Sequence, residues 1–364
     1  MTITRNTYHH FRSLLFQLDP EHSHNLALSL LAIAEKIPLS RRWLTRMFQV
    51  HDKRLETEVF GMRFRNPVGI AAGYDKNAYA ARSLSMLGVG HVEVGTITVL
   101  PQNGNARPRL FRLTEDNALI NSMGFPSAGV DAIIPRLSLL RMRPTPSRIG
   151  VNIGKGFNTP LGAAIADYRG LLHKLHPFAD YITINISSPN TVGLRKLQAK
   201  VALRNLLVEL IKERTQVCPT TPLLVKIAPD LPLEEIDDIL ELIVDCGLSG
   251  VIATNTTTSR SGLLGAYRDK PGGLSGKPLR DQATHIIRHI YRQTRGTLPI
   301  VGVGGIDSIA AALEKIRAGA SLVQVYTGLV YRGPGLVHAI NAGLVKEVDA
   351  IGVKSVMQLV GTQA

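Results

Sequence analysis

Pro299–Gly328 reads PIVGVGGIDSIAAALEKIRAGASLVQVYTG, and its pattern decides the fold. Two short apolar runs, Pro299-Ile300-Val301-Gly302-Val303 and Ser321-Leu322-Val323-Gln324-Val325, flank a stretch from Ile309 to Ala318 whose apolar residues recur at helical spacing. A strand, a helix and a second strand in that order form a βα unit, because two parallel strands need a crossover where antiparallel ones need only a turn. Working outward, the same alternation runs back to Pro67. The earlier runs are Pro67–Ala71, Gly90–Val94, Arg148–Asn152, Tyr181–Asn185, Leu223–Ile227 and Gly250–Thr254, with Glu234 to Asp245 again at helical spacing. Eight such runs in an α/β chain predict a (β/α)8 TIM barrel; an open doubly wound sheet is the alternative.

The barrel is expected over residues 51–347, behind a helical segment at 1–50 and ahead of a tail at 348–364. The stretch from Thr98 to Pro126 is long for a βα connection and carries the alternation Leu110-Phe111-Arg112-Leu113, so it reads as an inserted hairpin or lid. In a barrel the chemistry lies on the loops after the strands. Here those loops are Ala72-Gly73-Tyr74-Asp75-Lys76, Gly95-Thr96, Asn152-Ile153-Gly154-Lys155, Asn185 to Asn190, Lys226, Thr254-Asn255-Thr256-Thr257, Gly304-Gly305 and Tyr326-Thr327, which a barrel gathers into one mouth.

Each element of that mouth has a plain reading beside a functional one. Gly302-Val303-Gly304-Gly305, followed by a helix from near Asp307 and paired with Tyr326-Thr327-Gly328, matches the phosphate site after strands seven and eight; glycines also make tight turns. Gly272-Gly273-Leu274-Ser275-Gly276 adds backbone donors to that phosphate or serves as a flexible connector. Lys226 ends an apolar strand, either as a cation in the mouth or as a lysine reaching out to solvent. Asn121-Ser122-Met123-Gly124-Phe125, Asn185, Asn190 and Asn255-Thr256 offer donors and acceptors without fixed charge, suited to the edge of an imide-like ring, although a lone Asn is commonly a turn or cap residue. Ser188, before Pro189, is either a turn serine or a base. In the second role it must pass its own proton onward, and Thr256 or a water is the candidate next group.

Composition narrows the partners. Forty-two Lys and Arg against 28 Asp and Glu give a net charge of +14, which favours phosphates, nucleic acid or an anionic membrane surface. Cys218 and Cys246 show no metal-binding spacing, so no metal is expected and both thiols read as packing residues of a reducing compartment. No run approaches the ~20 apolar residues of a spanning helix, and no export signal is evident. Phe11 to Leu18 and Leu26 to Ala34, separated by Asp19-Pro20 and followed by Arg41-Arg42-Trp43, read as short apolar helices that rest on a membrane or cap the barrel.

Taken together, Ala71 to Lys76, Asn121 to Phe125, Asn152 to Lys155, Asn185 to Asn190, Lys226-Ile227-Ala228-Pro229-Asp230, Ala253 to Thr257, Gly272 to Gly276 and Gly302 to Asp307 resemble the dihydroorotate dehydrogenases, in order, over about residues 8 to 340. The resemblance implies oxidation of dihydroorotate to orotate in pyrimidine biosynthesis, with FMN as the hydride acceptor. It assigns FMN contacts to Ala72, Gly73, Thr96, Asn152, Asn185, Lys226, Thr254, Gly276, Gly305, Tyr326 and Thr327. Substrate contacts fall to Lys76, which pairs with the carboxylate, and to Asn121, Ser122, Met123, Gly124, Phe125, Asn185, Asn190, Asn255 and Thr256. The catalytic base is Ser188; soluble members carry cysteine there, which points to the quinone-dependent class. That class implies a membrane quinone as final acceptor, a tunnel for it beneath the N-terminal helices, peripheral attachment to the cytoplasmic side of the cell membrane, and no nucleic acid. Val192 and Gln102-Asn103-Gly104-Asn105 depart from the family pattern by lacking an expected proline. A flavin-dependent tRNA dihydrouridine synthase is the second enzyme reading, against which stands the missing loop cysteine. A basic non-enzymatic scaffold leaves the polar strand ends unexplained.

Overall fold

The computed structural model describes Tyr8 and residues 12–143 and 145–364. A short antiparallel pair, β1 (Thr57–Val59) and β2 (Met62–Phe64), precedes a closed barrel of eight parallel strands. These are β3 (Val68–Asp75), β4 (His91–Ile97), β7 (Arg148–Ile153), β8 (Tyr181–Asn185), β9 (Leu223–Ile227), β10 (Gly250–Ala253), β12 (Ile300–Val303) and β13 (Leu322–Val325). Closure comes where β13 returns to β3, with Val323 opposite Val68 and Val325 opposite Ile70. Each expected apolar run overlaps one of these strands to within a residue at its start, because a strand covered on both faces is apolar along its whole length.

Two layers of core hold the barrel. Between strands and helices, residues such as Ile70, Val92, Val151, Ile184, Val225 and Val323 are fully enclosed. Helix Leu233–Asp245 offers Ile236, Ile239, Leu240 and Ile243 to this layer at helical spacing. Inside the barrel floor, Phe64, Tyr181, Leu224, Ile252, Val301 and Leu322 pack together, and the β1–β2 pair closes the bottom. Here large rings face glycines: a Cβ on Gly150 would lie 2.1 Å from the Tyr181 ring. The floor is thus packed solid, and the mouth is the end with open space.

Three expectations need correction, and one alternative falls. The flexible-connector alternative for Gly272–Gly276 falls because Gly273–Gly276 forms β11, which pairs antiparallel with β6 (Ala118–Asn121). With β5 (Leu110–Leu113) these make a three-stranded sheet, so the inserted hairpin is locked to the sixth βα loop. The N-terminal helix begins at Pro20 and not at Leu26, because Asp19 caps the backbone N–H groups of Glu21 and His22 at 3.0 Å and runs on to Lys36. Arg41, Arg42 and Trp43 do not trail that helix as a flank but lie within a second one, Pro38–Phe48. Of the first expected helix, residues 12–15 are helical and Phe11 lies outside the described residues. Finally, helix Leu336–Ile351 runs through the expected boundary at 347 and stops at Gly352, whose φ of 77° ends it. The tail beyond is packed down through buried Val356 and Leu359.

Candidate active site

The mouth is shaped by two interruptions in the barrel's register. Between Ile70 and Asp75 on β3, and between Val94 and Ile97 on β4, the pairing shifts, so the strands continue while the bulged residues turn inward. Those residues are Ala72, Gly73 and Thr96, which border a cavity of about 1000 Å³. Gly305, Tyr326 and Thr327 border it from the ends of β12 and β13, with Thr254 and Gly276 between them. Gly304 and Gly305 have φ of 127° and 68°, and a Cβ on Gly305 would meet Arg280 Cβ at 2.5 Å. Only glycine lets this loop pass so close to the helix Arg280–Gln293.

Beneath the cavity lies a continuous hydrogen-bonded network. Thr96 Oγ1 donates to Asn152 Oδ1 at 2.6 Å, and Asn185 Nδ2 donates to both Thr96 Oγ1 at 3.0 Å and Asn152 Oδ1 at 3.1 Å. Asn152 Nδ2 in turn donates to Glu93 Oε1 at 2.8 Å, while Gln324 Nε2 and Tyr181 OH donate to Glu93 Oε2 at 2.9 and 3.3 Å. Every amide is therefore oriented from below before anything binds above. Lys226 is buried at the end of β9, and no described protein atom accepts a hydrogen bond from its Nζ. Burial pulls this ammonium below the usual lysine range, with Glu93 opposing the shift. A buried cation and the partnerless Gln324 Oε1 leave a donor and an acceptor facing the cavity without protein partners.

The loop after β8 carries Ser188 to the edge of the cavity. Ser188 is 5% exposed, borders the cavity, and accepts a hydrogen bond from Asn190 N at 3.2 Å. Asn190 Nδ2 donates to Asn121 Oδ1 at 2.9 Å, and Asn255 Nδ2 donates to Ser187 Oγ at 3.0 Å and Asn185 Oδ1 at 3.3 Å. Arg195 clamps the loop from behind, donating to Ser187 O, Thr256 O and Asp230 Oδ2 at 3.1, 3.0 and 2.8 Å. Thr256 Oγ1 is turned to Asn255 Oδ1 at 3.4 Å and makes no hydrogen bond to Ser188. Thr191, past the Pro189–Asn190 turn, instead has a buried hydroxyl with no partner among the described residues.

Lys76 enters from the β3 loop, half-buried, with Nζ donating to Gly73 O at 2.7 Å. Burial pulls its pKa down to about 8, and Glu21 opposes the shift, with a smaller contribution from Asp75. A second cavity of about 920 Å³ lies under the N-terminal helices. Its wall is mostly apolar, with Leu15, Phe16, Ala27, Leu31, Leu329 and Val330, and carries Arg112 and His24. Tyr326 borders both cavities, its hydroxyl donating to Gly73 O at 3.3 Å.

Of the residues singled out from the sequence, all but Ser122 and Asn152 border the first cavity. Asn152 sits one layer below, holding Asn185 and Thr96. Ser122 is engaged through its backbone, its N–H donating to Arg109 O at 2.9 Å. The sequence reading passed over Gln324, Ser275, Glu93 and Thr191. Glu93 in an apolar strand was the one available signal, since a carboxylate among valines needs partners.

A family model described as dihydroorotate dehydrogenase matches residues 54–348. The chain is 44% identical over 357 residues to the dihydroorotate dehydrogenase (quinone) of Roseiflexus castenholzii, covering 98% of this chain and 97% of that protein. It is 47% identical over 336 residues to the protein of the same name from Christiangramia forsetii, covering 92% and 98%. The crystal structure of DHODH in complex with ferulenol from Eimeria tenella superposes with a TM-score of 0.87 at 37% identity, covering 96% of this chain and 98% of that one. With sequence and fold matched along nearly the full length, this chain belongs to the dihydroorotate dehydrogenase family.

Proposed function

We propose that the chain oxidises (S)-dihydroorotate to orotate, in the biosynthesis of pyrimidines, and passes the electrons to a membrane quinone. The observation that carries this reading is the meeting of two cavities at Tyr326: one lined by Lys76, Lys226, Asn121, Asn185, Asn190 and Asn255, able to hold a charged ring, and a more apolar one able to hold a lipid.

The first cavity fits FMN. Its unpartnered buried cation, Lys226, suits a ring that gains negative charge, and the Gly304-Gly305 and Tyr326-Thr327 strand ends suit a phosphate. Ala72, Gly73, Thr96, Asn185, Thr254 and Gly276 complete the holding set, and Asn152 orients it. When bound, FMN supplies a two-electron acceptor for hydride.

The protein's own groups do the rest. Lys76 pairs with the substrate carboxylate, and the amides of Asn121, Asn190 and Asn255 with Thr256 read the ring's alternating N–H and C=O edge. Met123, Gly124 and Phe125, with the Ser122 backbone behind them, close over it. Ser188 Oγ takes the carbon-bound proton as its own proton leaves, and the partnerless Thr191 hydroxyl is the next stop. The second cavity admits the quinone's apolar tail, and the N-terminal helices rest on the cytoplasmic face of the membrane.

Anaerobic mixing of the purified protein with dihydroorotate is expected to bleach a flavin spectrum, and a short-chain quinone to restore it where fumarate and NAD do not. Absence of bleaching would overturn the substrate; restoration only by fumarate or NAD would overturn the class.

A further inference from the structure

Glu21 lies on the helix that roofs the apolar cavity, yet it does not border that cavity. Its carboxylate is buried and faces the other way. Arg109 grips it at both oxygens, Nε to Oε2 at 3.1 Å and Nη2 to Oε1 at 2.7 Å, and Arg107 adds a bond to Oε1 at 3.0 Å. Arg109 is itself 5% exposed. With its remaining nitrogen, Nη1, it gathers the carbonyls of Asn103 at 2.6 Å and Asn105 at 2.8 Å.

Asn105 carries the arrangement onward. Its N–H donates to Met123 O at 3.0 Å, and its Nδ2 donates to Ser122 O at 2.9 Å and Asn190 O at 3.3 Å. A Cβ on Gly124 would lie 2.6 Å from the Asn105 amide oxygen, so the two segments are in close contact. An unbroken path thus leads from the N-terminal helix, through two buried charges and one amide, to the turn that follows Ser188. A polar cavity of about 910 Å³ beside this path is bordered by Glu21, Lys76, Arg107, Arg109 and Met123.

We infer that Glu21 is a positioning residue for the dihydroorotate site: by fixing Arg109 it holds Asn105 against Asn190 and Met123, so the helix that shelters the quinone also builds the substrate pocket. This rests on the functional reading above. A neutral residue at 21 leaves Arg109 buried with half its partners gone, and the penalty falls on the loop it braces. Glu21 also counters the burial of Lys76, so its loss weakens the cation opposite the substrate carboxylate.

The test uses the full-length holoenzyme and measures the two half-reactions separately by stopped flow. In Glu21→Gln the dihydroorotate Kd from flavin reduction is expected to rise on the order of tenfold. The orotate Kd, read from the perturbed flavin spectrum without turnover, should rise in parallel. Reoxidation by quinone should stay within about twofold of the parent, since no quinone contact changes. Glu21→Asp, which keeps the charge, should recover part of the loss. If Glu21→Gln fails to fold, Asn105→Ala cuts the same path without disturbing the ion pair and should raise the same two constants. Unchanged Kd values for both ligands, or equal losses in both half-reactions, would overturn the inference. Failure of the parent protein to bleach at all would instead strike the functional reading.

Discussion

In the proposed reaction, Ser188 and Lys76 make opposite demands on a proton. Ser188 must lose one, so Ser188→Ala is expected to slow flavin reduction by about 10²- to 10⁴-fold while the flavin stays bound. Thr191→Val should slow the same step less, with no change in dihydroorotate Kd. Near-normal stopped-flow reduction in Ser188→Ala would remove the serine from its role. Lys76 must keep its proton to pair with a carboxylate. Its pKa is pulled down to about 8, so in the free protein the cation is present below that pH and is lost above it. Dihydroorotate Kd should therefore be flat on the acid side and rise by about tenfold per pH unit on the alkaline side. A Kd that stays flat well into the alkaline range would show that Lys76 does not carry the carboxylate. Both residues stood out in the sequence, and their roles there came from the family resemblance. Thr191 did not, because an unpartnered hydroxyl is a property of surroundings and not of a residue.

At the scale of elements, the two N-terminal helices are amphipathic in a double sense. On Pro20–Lys36, Ser23, His24, Ala27 and Leu31 border the apolar cavity, while Leu26, Leu30 and Ile33 are exposed on another face. On Pro38–Phe48, Leu44, Met47 and Phe48 pack on the barrel, leaving Leu39 at 77% and Trp43 at 49% exposed beside Arg41, Arg42 and Arg46. Apolar side chains flanked by arginines suit the interface of an anionic bilayer. No helix among the described residues is long and apolar enough to cross one. Leu39→Glu with Trp43→Glu should weaken co-sedimentation with anionic vesicles by at least about tenfold, since each side chain withdrawn from lipid forfeits ~1.5–3 kcal/mol. Flavin reduction by dihydroorotate should be unaltered in that variant. Vesicle binding equal to the parent's would place the membrane face elsewhere. The sequence showed the apolar content of this segment, but Asp19-Pro20 read there as a break between helices and is in fact where helix Pro20–Lys36 is capped. It did not show which apolar residues face the cavity and which face outward, because that division is made by the barrel surface on which the helices land.

For the whole molecule, eight apolar runs separated by helical patterns were enough to call the barrel, and the polar residues at their ends were enough to locate its mouth. Both are local properties: strand and helix periodicities are imposed by neighbours a few residues away, and burial on both faces leaves a run apolar throughout. The rest depended on distant partners. The bulges that turn Ala72, Gly73 and Thr96 inward exist only against the strands beside them. β11 becomes a strand because β6 supplies an open edge, 152 residues away at the Gly273–Asn121 pair. Glu21 reaches Arg109 across 88 positions, and Asn105 reaches Asn190 across 85. The sequence by itself therefore determined the architecture, the polar groups at the strand ends and the end of the barrel where they gather. Only the tertiary structure decided how those groups are aimed, since their orientation rests on hydrogen bonds and ion pairs that no local pattern encodes.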